Sequence, residues 1–208
     1  MREGSHRARN LLQLRGGRAR LRRGAGALGL GAVLLLQGYP ECVDAAAEAP
    51  RLSGTVIGVI DGDTVDVRLP SGRIRVRLHG IDAPERDQPR GQASRRELSK
   101  LVHRREVAIE PVEQDQYDRL VGRLWRGEMD VNAELVRRGA AWVYRRYATE
   151  GAWCRYEKTA RDAGRGLWSL PPAERVAPWE WRQREHRRRP FTDYSQQTVA
   201  QCVKSFGR

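Results

Sequence analysis

The sequence predicts a mainly β fold with added helices: a five-stranded Greek-key barrel carrying about three helices. Three observations point there. Residues 55–60, 64–69 and 74–79 are rich in β-branched residues, with short turns between them and period-two alternation in the second and third. Two more short apolar segments of strand character follow, at 107–112 and 120–125. A helical stripe separates the third strand from the fourth.

Each element has its own signal. Asp61-Gly62-Asp63 and Pro70-Ser71-Gly72 are turn formers that join the first three strands into an antiparallel meander. In the third strand Ile74, Val76 and Leu78 share one face, and Arg75, Arg77 and His79 share the other. Pro84 and Pro89 forbid a helix before Gly91. Residues 92–103 then place Ala93, Leu98, Leu101 and Val102 on one helical face. Residues 131–138 form a second helix, with Asp130 as N-cap and Gly139 as its stop. A third covers 150–163 and ends at Gly164 or Gly166. Five strands with a helix between the third and fourth match the partly open barrel called the OB-fold.

This barrel accounts for residues 48–170 of the 208. Residues 1–47 read as an export signal or N-terminal anchor. A basic segment precedes the apolar run from Ala25 to Leu36, and Ala45-Ala46-Ala47 follows. A cleaved leader makes the protein exported; an uncleaved one ties it to the membrane. Residues 171–208 form an extension rich in Trp and Arg, in which Trp179 and Trp181 pack back on the domain or start a short helix. The last eighteen residues show no periodicity.

The net charge is +13 and the mean hydropathy −0.70. Loss of residues 1–47 removes eight arginines and three acids, so an excess of +8 survives. Such a surplus points to a polyanionic partner. The absence of any run of about 18 apolar residues excludes a polytopic membrane protein. Three cysteines exclude a disulfide scaffold; beyond the leader, Cys154 and Cys202 either pair or stay free. No oligomerisation seam is visible, so a monomer without a stable protein partner is expected.

The meander returns the first hairpin and the end of the third strand to one rim. Asp61, Asp63, Asp82 and Glu85 therefore gather there. Clustered carboxylates need a compensating cation or basic side chains. An all-oxygen set suits a hard cation such as Ca²⁺, and with His79 as the only nearby His and no Cys, zinc is disfavoured. The spacing does not fit an EF-hand, since Asp66 and Gly72 stand where Gly and Glu are required. Arg77 and Arg119 are the cationic candidates. A cation and two arginines beside carboxylates suit attack on a phosphodiester.

Asp61-Gly62-Asp63-Thr64-Val65, then Arg77-Leu78-His79-Gly80-Ile81-Asp82-Ala83-Pro84-Glu85, resemble the staphylococcal nuclease (thermonuclease) family. The resemblance runs on through Tyr117-Asp118-Arg119, Val131-Asn132-Ala133-Glu134-Leu135-Val136-Arg137-Arg138-Gly139 and Gly166-Leu167-Trp168, over residues 53–170. It implies an OB-fold barrel with three helices and a Ca²⁺-dependent phosphodiesterase acting on DNA and RNA. By motif position, Asp63 and Asp82 would be direct Ca²⁺ ligands, with the Ala83 backbone carbonyl as another and Asp61 acting through water. Glu85 would orient or deprotonate the attacking water. Arg77 and Arg119 would bind and polarise the phosphate, and Tyr117 would line the nucleotide site. Ala83 stands where the family's best-known member has Thr. Asp118 stands where the family usually has Gly, and would reshape that loop or pair with Arg119. The alternative reading is a non-catalytic OB module that binds single-stranded nucleic acid. Asp63, Asp82 and Glu85 speak against it, because they would repel a bound phosphate.

Overall fold

The computed structural model describes residues 51–186 and 189–207. The leader, Arg187 and Arg188 lie outside the described residues. β1 (Leu52–Val59), β2 (Thr64–Leu69) and β3 (Gly72–Leu78) form the expected antiparallel meander. α1 (Gly91–Val102) follows, then β5 (Glu106–Gln114) and β6 (Leu120–Arg126). β5 pairs with β1 and β6, both antiparallel, while β3 pairs with β6 in parallel. That last pairing closes the five strands into an OB-fold barrel, where the sequence pattern predicts a partly open one. A bulge between Val56 and Gly58 bends β1. Its first half pairs with β5, and its second half pairs with β2.

The alternation decides which side chains enter the barrel, although Thr64 and Asp66 on the other face of β2 are buried as well, Asp66 paired with Arg73 and Arg75. Val65 and Val67 of β2 and Val76 and Leu78 of β3 are sealed in the barrel with Val56, Ile109 and Leu124. Leu98, Leu101 and Val102 of α1 close one end; Ala93 is only half-buried. α2 (Val131–Arg137) begins where Asp130 accepts from the Ala133 N–H at 3.0 Å, and stops at Gly139 with a φ of 65°. Asn132, fully buried, accepts from the Leu124 N–H at 3.0 Å and donates to the His79 carbonyl at 2.9 Å. This ties α2 to the exit of β3. β7 (Met129–Asp130) is a two-residue addition to β6.

Two short strands lie below the reach of periodicity. β4 (Ile81–Asp82) pairs with β8 (Trp142–Val143), setting Asp82 opposite Trp142. α3 (Gly151–Asp162) carries Glu157, which is 1% exposed and salt-bridged to Arg145 at 2.6 Å. Arg161 lies 3.9 Å from the same carboxylate, so removing Glu157 would leave two buried guanidinium groups without it, at a cost of about 3–5 kcal/mol.

Residues 171–186 and 189–207 fold back. α4 (Pro178–Trp181) sets Trp179 against Tyr144, the rings stacked at 5.3 Å, in an aromatic group with Trp142 and Tyr194. α5 (Val199–Lys204) lies in the stretch without periodicity; it starts at a capping box of Thr198 and Gln201. Cys202 of α5 forms a disulfide with Cys154 of α3. Among the described residues no helix is long and apolar enough to cross a membrane.

Candidate active site

The first hairpin and the exit of β3 meet at one end of the barrel, as the meander requires. Asp61, Asp63, Asp82, Ala83 and Glu85 line one cleft of about 800 Å³. Backbone geometry fixes the first pair: Asp61 Oδ1 accepts from the Asp63 N–H at 3.1 Å. Gly62 between them has no room for a side chain, since a Cβ there would lie 2.1 Å from Ser94 Oγ and 2.5 Å from Ala83 Cβ. Asp63 then crosses to the exit loop, where its Oδ2 accepts from the Ala83 N–H at 2.7 Å. Gly91 plays the same part beneath Glu85: a Cβ there would meet the Glu85 carbonyl oxygen at 1.8 Å. These two glycines let α1 press against both acidic segments.

Arg77 joins the buried acids. Its Nη1 lies 3.1 Å from Asp63 Oδ2 and its Nη2 2.8 Å from Asp82 Oδ1, while Nη1 also donates to the Leu78 and Ile81 carbonyls at 3.0 Å. Burial works against its charge, but Asp63, Asp82 and Asp61 outweigh it and hold the guanidinium above its usual range. The acids feel the converse. Burial pushes Asp63 up to about 8 against the pull of Arg77, and Asp61 and Asp82 add to the rise. Burial likewise raises Asp82, opposed by Arg77 and Arg182. Among the described residues no three carboxylate, imidazole or thiol groups converge as a ready metal cage. Guanidinium groups stand between the carboxylates instead. The donor chemistry nonetheless fits a hard divalent cation. Four carboxylates and the Ala83 carbonyl share the cleft, and the buried Asp63 and Asp82, whose charged forms burial disfavours, are acids that a divalent cation would hold ionised.

Arg119 and Tyr117 line the same cleft from the turn between β5 and β6. Arg119 is anchored by Asp115, whose Oδ2 accepts from Nε at 2.8 Å and whose Oδ1 accepts from the Arg119 N–H at 3.0 Å. Partial burial opposes the Asp115 charge, yet Arg119 holds that carboxyl below its usual range. Tyr117 is 70% exposed, and the Arg119 guanidinium sits 5.4 Å from its ring centre. Asp118 does not take Arg119 as its partner; its Oδ1 accepts from Gln114. Its φ is 60°, the left-handed region in which Gly is the unstrained choice. Asp118→Gly should therefore stabilise the fold by about 1 kcal/mol, read as a rise in thermal midpoint, with turnover unchanged because Arg119 keeps its Asp115 anchor.

Other cleft residues carry no signal of their own in the sequence. Tyr144 and Tyr147 lie just after β8, and Arg182 comes from the extension. The arginine donates to both Asp82 and Glu85. The composition shift at Pro171-Pro172 marks the extension, but nothing in it marks Arg182 as part of the cleft.

A profile of the staphylococcal nuclease homologue family matches residues 75–170. Protein ParB of Escherichia coli is 40% identical over 150 residues, covering 67% of this chain and 84% of the relative. The chain belongs to the staphylococcal nuclease family. Micrococcal nuclease of Shigella flexneri is 38% identical over 162 residues, 73% of this chain and 88% of the relative. An uncharacterized endonuclease of Escherichia coli is 39% identical over 135 residues, 64% of this chain and 87% of the relative. The stretch matched by the family profile takes in Arg77, Asp82, Glu85 and Arg119, and ends before the extension that supplies Arg182.

Proposed function

We propose that this protein is an exported nuclease that hydrolyses phosphodiester bonds in DNA and/or RNA with the help of Ca²⁺. The observation that carries the reading is the shared cleft. Carboxylates able to hold a hard cation, a carboxylate able to take a proton, and two anchored arginines all face one space. Asp63, Asp82 and the Ala83 carbonyl would hold the cation, with Asp61 acting through water. When bound, the cation neutralises charge on the phosphate and its transition state.

The chain's own residues do the rest. Arg77 and Arg119 bind the scissile phosphate and stabilise the negative charge that builds on its oxygens. Glu85 accepts the proton of a water that attacks phosphorus, the P–O ester bond breaks on the far side, and the leaving oxygen takes a proton from solvent to depart as an alcohol. Tyr117 gives the neighbouring nucleotide a flat surface. Export is supported by the order of features in residues 1–47 and by the Cys154–Cys202 disulfide, a bond that persists in oxidising compartments.

The test is degradation of single-stranded DNA by the purified chain, with Ca²⁺ and then with excess chelator. Turnover that needs Ca²⁺ supports the reading. Tight, salt-sensitive binding without cleavage would replace it with the OB binding module. In the same assay Glu85→Gln should lower kcat by about 10²–10⁴-fold with little change in DNA affinity. Equal losses in both would make Glu85 a structural residue.

A further inference from the structure

Arg182 has no counterpart in the mechanism above, yet it reaches further into the carboxylate cluster than Arg119 does. Nη2 donates to Asp82 Oδ2 at 2.9 Å, and Nη1 donates to Asp82 Oδ1 at 3.2 Å and to Glu85 Oε1 at 2.7 Å. Its position is built. Ala177 is fully buried, and Pro178 and Glu180 are buried beside it. The buried Gln88 side chain donates to the Val176 carbonyl at 2.6 Å. Arg184 pairs with Asp87 at 2.8 Å. The extension is thus seated on the loop that carries Glu85, and Arg182 closes the contact from 97 residues away.

Two consequences follow. Among the described residues Arg182 is the side-chain partner of the Glu85 carboxylate, which is 37% exposed. The contact is made through Oε1, leaving Oε2 for a water. Asp82, 1% exposed, has Oδ1 shared by Arg77 and Arg182 and Oδ2 held, among the described residues, by Arg182. A carboxylate oxygen offers two lone pairs, so Oδ2 retains one for a cation, beside a competing positive charge.

We propose that Arg182 is a positioning residue: it holds Glu85 in place for the attacking water and, by sharing Asp82, restrains the affinity of the site for its divalent cation. The proposal rests on the nuclease reading. It predicts two effects of opposite sign. Without Arg182 the rim carries one more uncompensated negative charge and binds the cation more tightly, while Glu85 loses its orientation and the chemical step slows. A merely loosened fold weakens both.

The experiment compares the full-length wild type with Arg182→Ala, Arg182→Lys and Arg184→Ala. Ca²⁺ binding is measured by calorimetry on metal-free protein, and kcat and KM on single-stranded DNA at saturating Ca²⁺. Arg182→Ala should bind Ca²⁺ severalfold more tightly and lose kcat by about tenfold or more, with KM less affected. Arg182→Lys keeps the charge, so it should retain wild-type Ca²⁺ affinity and recover part of kcat. Arg184→Ala, on the same extension but outside the cluster, should match the wild type. Unchanged kcat in Arg182→Ala, or Ca²⁺ binding no tighter than wild type, would overturn the proposal. So would parallel losses in Arg182→Ala and Arg184→Ala, which would reduce Arg182 to a seat for the extension. A wild type that binds Ca²⁺ without cleaving would overturn the nuclease reading and the role at Glu85, while the affinity comparison would still decide whether Arg182 competes at Asp82.

Discussion

Asp63→Asn is expected to lower turnover by about 10²–10³-fold without unfolding the protein. Asp63 is 6% exposed, and burial with Asp61 and Asp82 nearby pushes it up to about 8, so its charged form is costly in the metal-free fold. An amide removes that cost, yet keeps an oxygen to accept the Ala83 N–H that Asp63 Oδ2 now accepts at 2.7 Å. The same change deletes one negative charge from the set that would hold the cation. Thermal unfolding separates the two effects. The wild type should gain stability on adding Ca²⁺, because a ligand that binds only the folded state shifts the unfolding equilibrium. The variant should match or exceed the metal-free wild type and gain much less from Ca²⁺. A variant with undiminished turnover, or with a full Ca²⁺-induced shift, would remove Asp63 from the cation site.

What the sequence shows in advance depends on the range of the interaction. Period-two alternation in β2 and β3 is set by neighbours two residues apart, so the barrel meander and the acidic rim are both visible in it. The Asp130 cap and the Gly139 stop are local as well, and both hold. Two-residue strands have no period to detect, so the β4–β8 pair that orients Asp82 is not legible. Arg119 is visible as a cation, but its anchor is not: Asp118 is the adjacent acid, and only the left-handed turn at that residue turns the backbone so that Asp115 becomes the partner. Arg182 is the extreme case. Its role follows from where α4 docks, and that is decided by Trp179 against Tyr144 and Gln88 against Val176, contacts that no local pattern encodes. The capping box at Thr198 and Gln201 is a local signal for α5, a helix with no apolar stripe to support it.

The second large effect is expected at the disulfide. Cys154 and Cys202 close a loop of 48 residues between α3 and α5, and Arg182 lies inside it. Constraint of the unfolded chain by a loop of this size contributes about 4 kcal/mol in the chain-entropy account. Cys154→Ser with Cys202→Ser should therefore lower the thermal midpoint by about 8–16 °C, at about 2–4 °C per kcal/mol for a chain of this size. The loss should not spread evenly. The barrel keeps its own sealed core of Val56, Val65, Val76 and Leu124, whereas α5 buries only Cys202 of its six residues. Hydrogen exchange should accordingly rise first in residues 190–207, then in α4, and last in β1–β3. Because Arg182 is the C-cap of α4, mild reduction of the wild type should also lower kcat while tightening Ca²⁺ binding, the pattern expected of Arg182→Ala. Uniform exchange across barrel and extension, or a midpoint unmoved by the double substitution, would show that the disulfide does not hold the extension on the site.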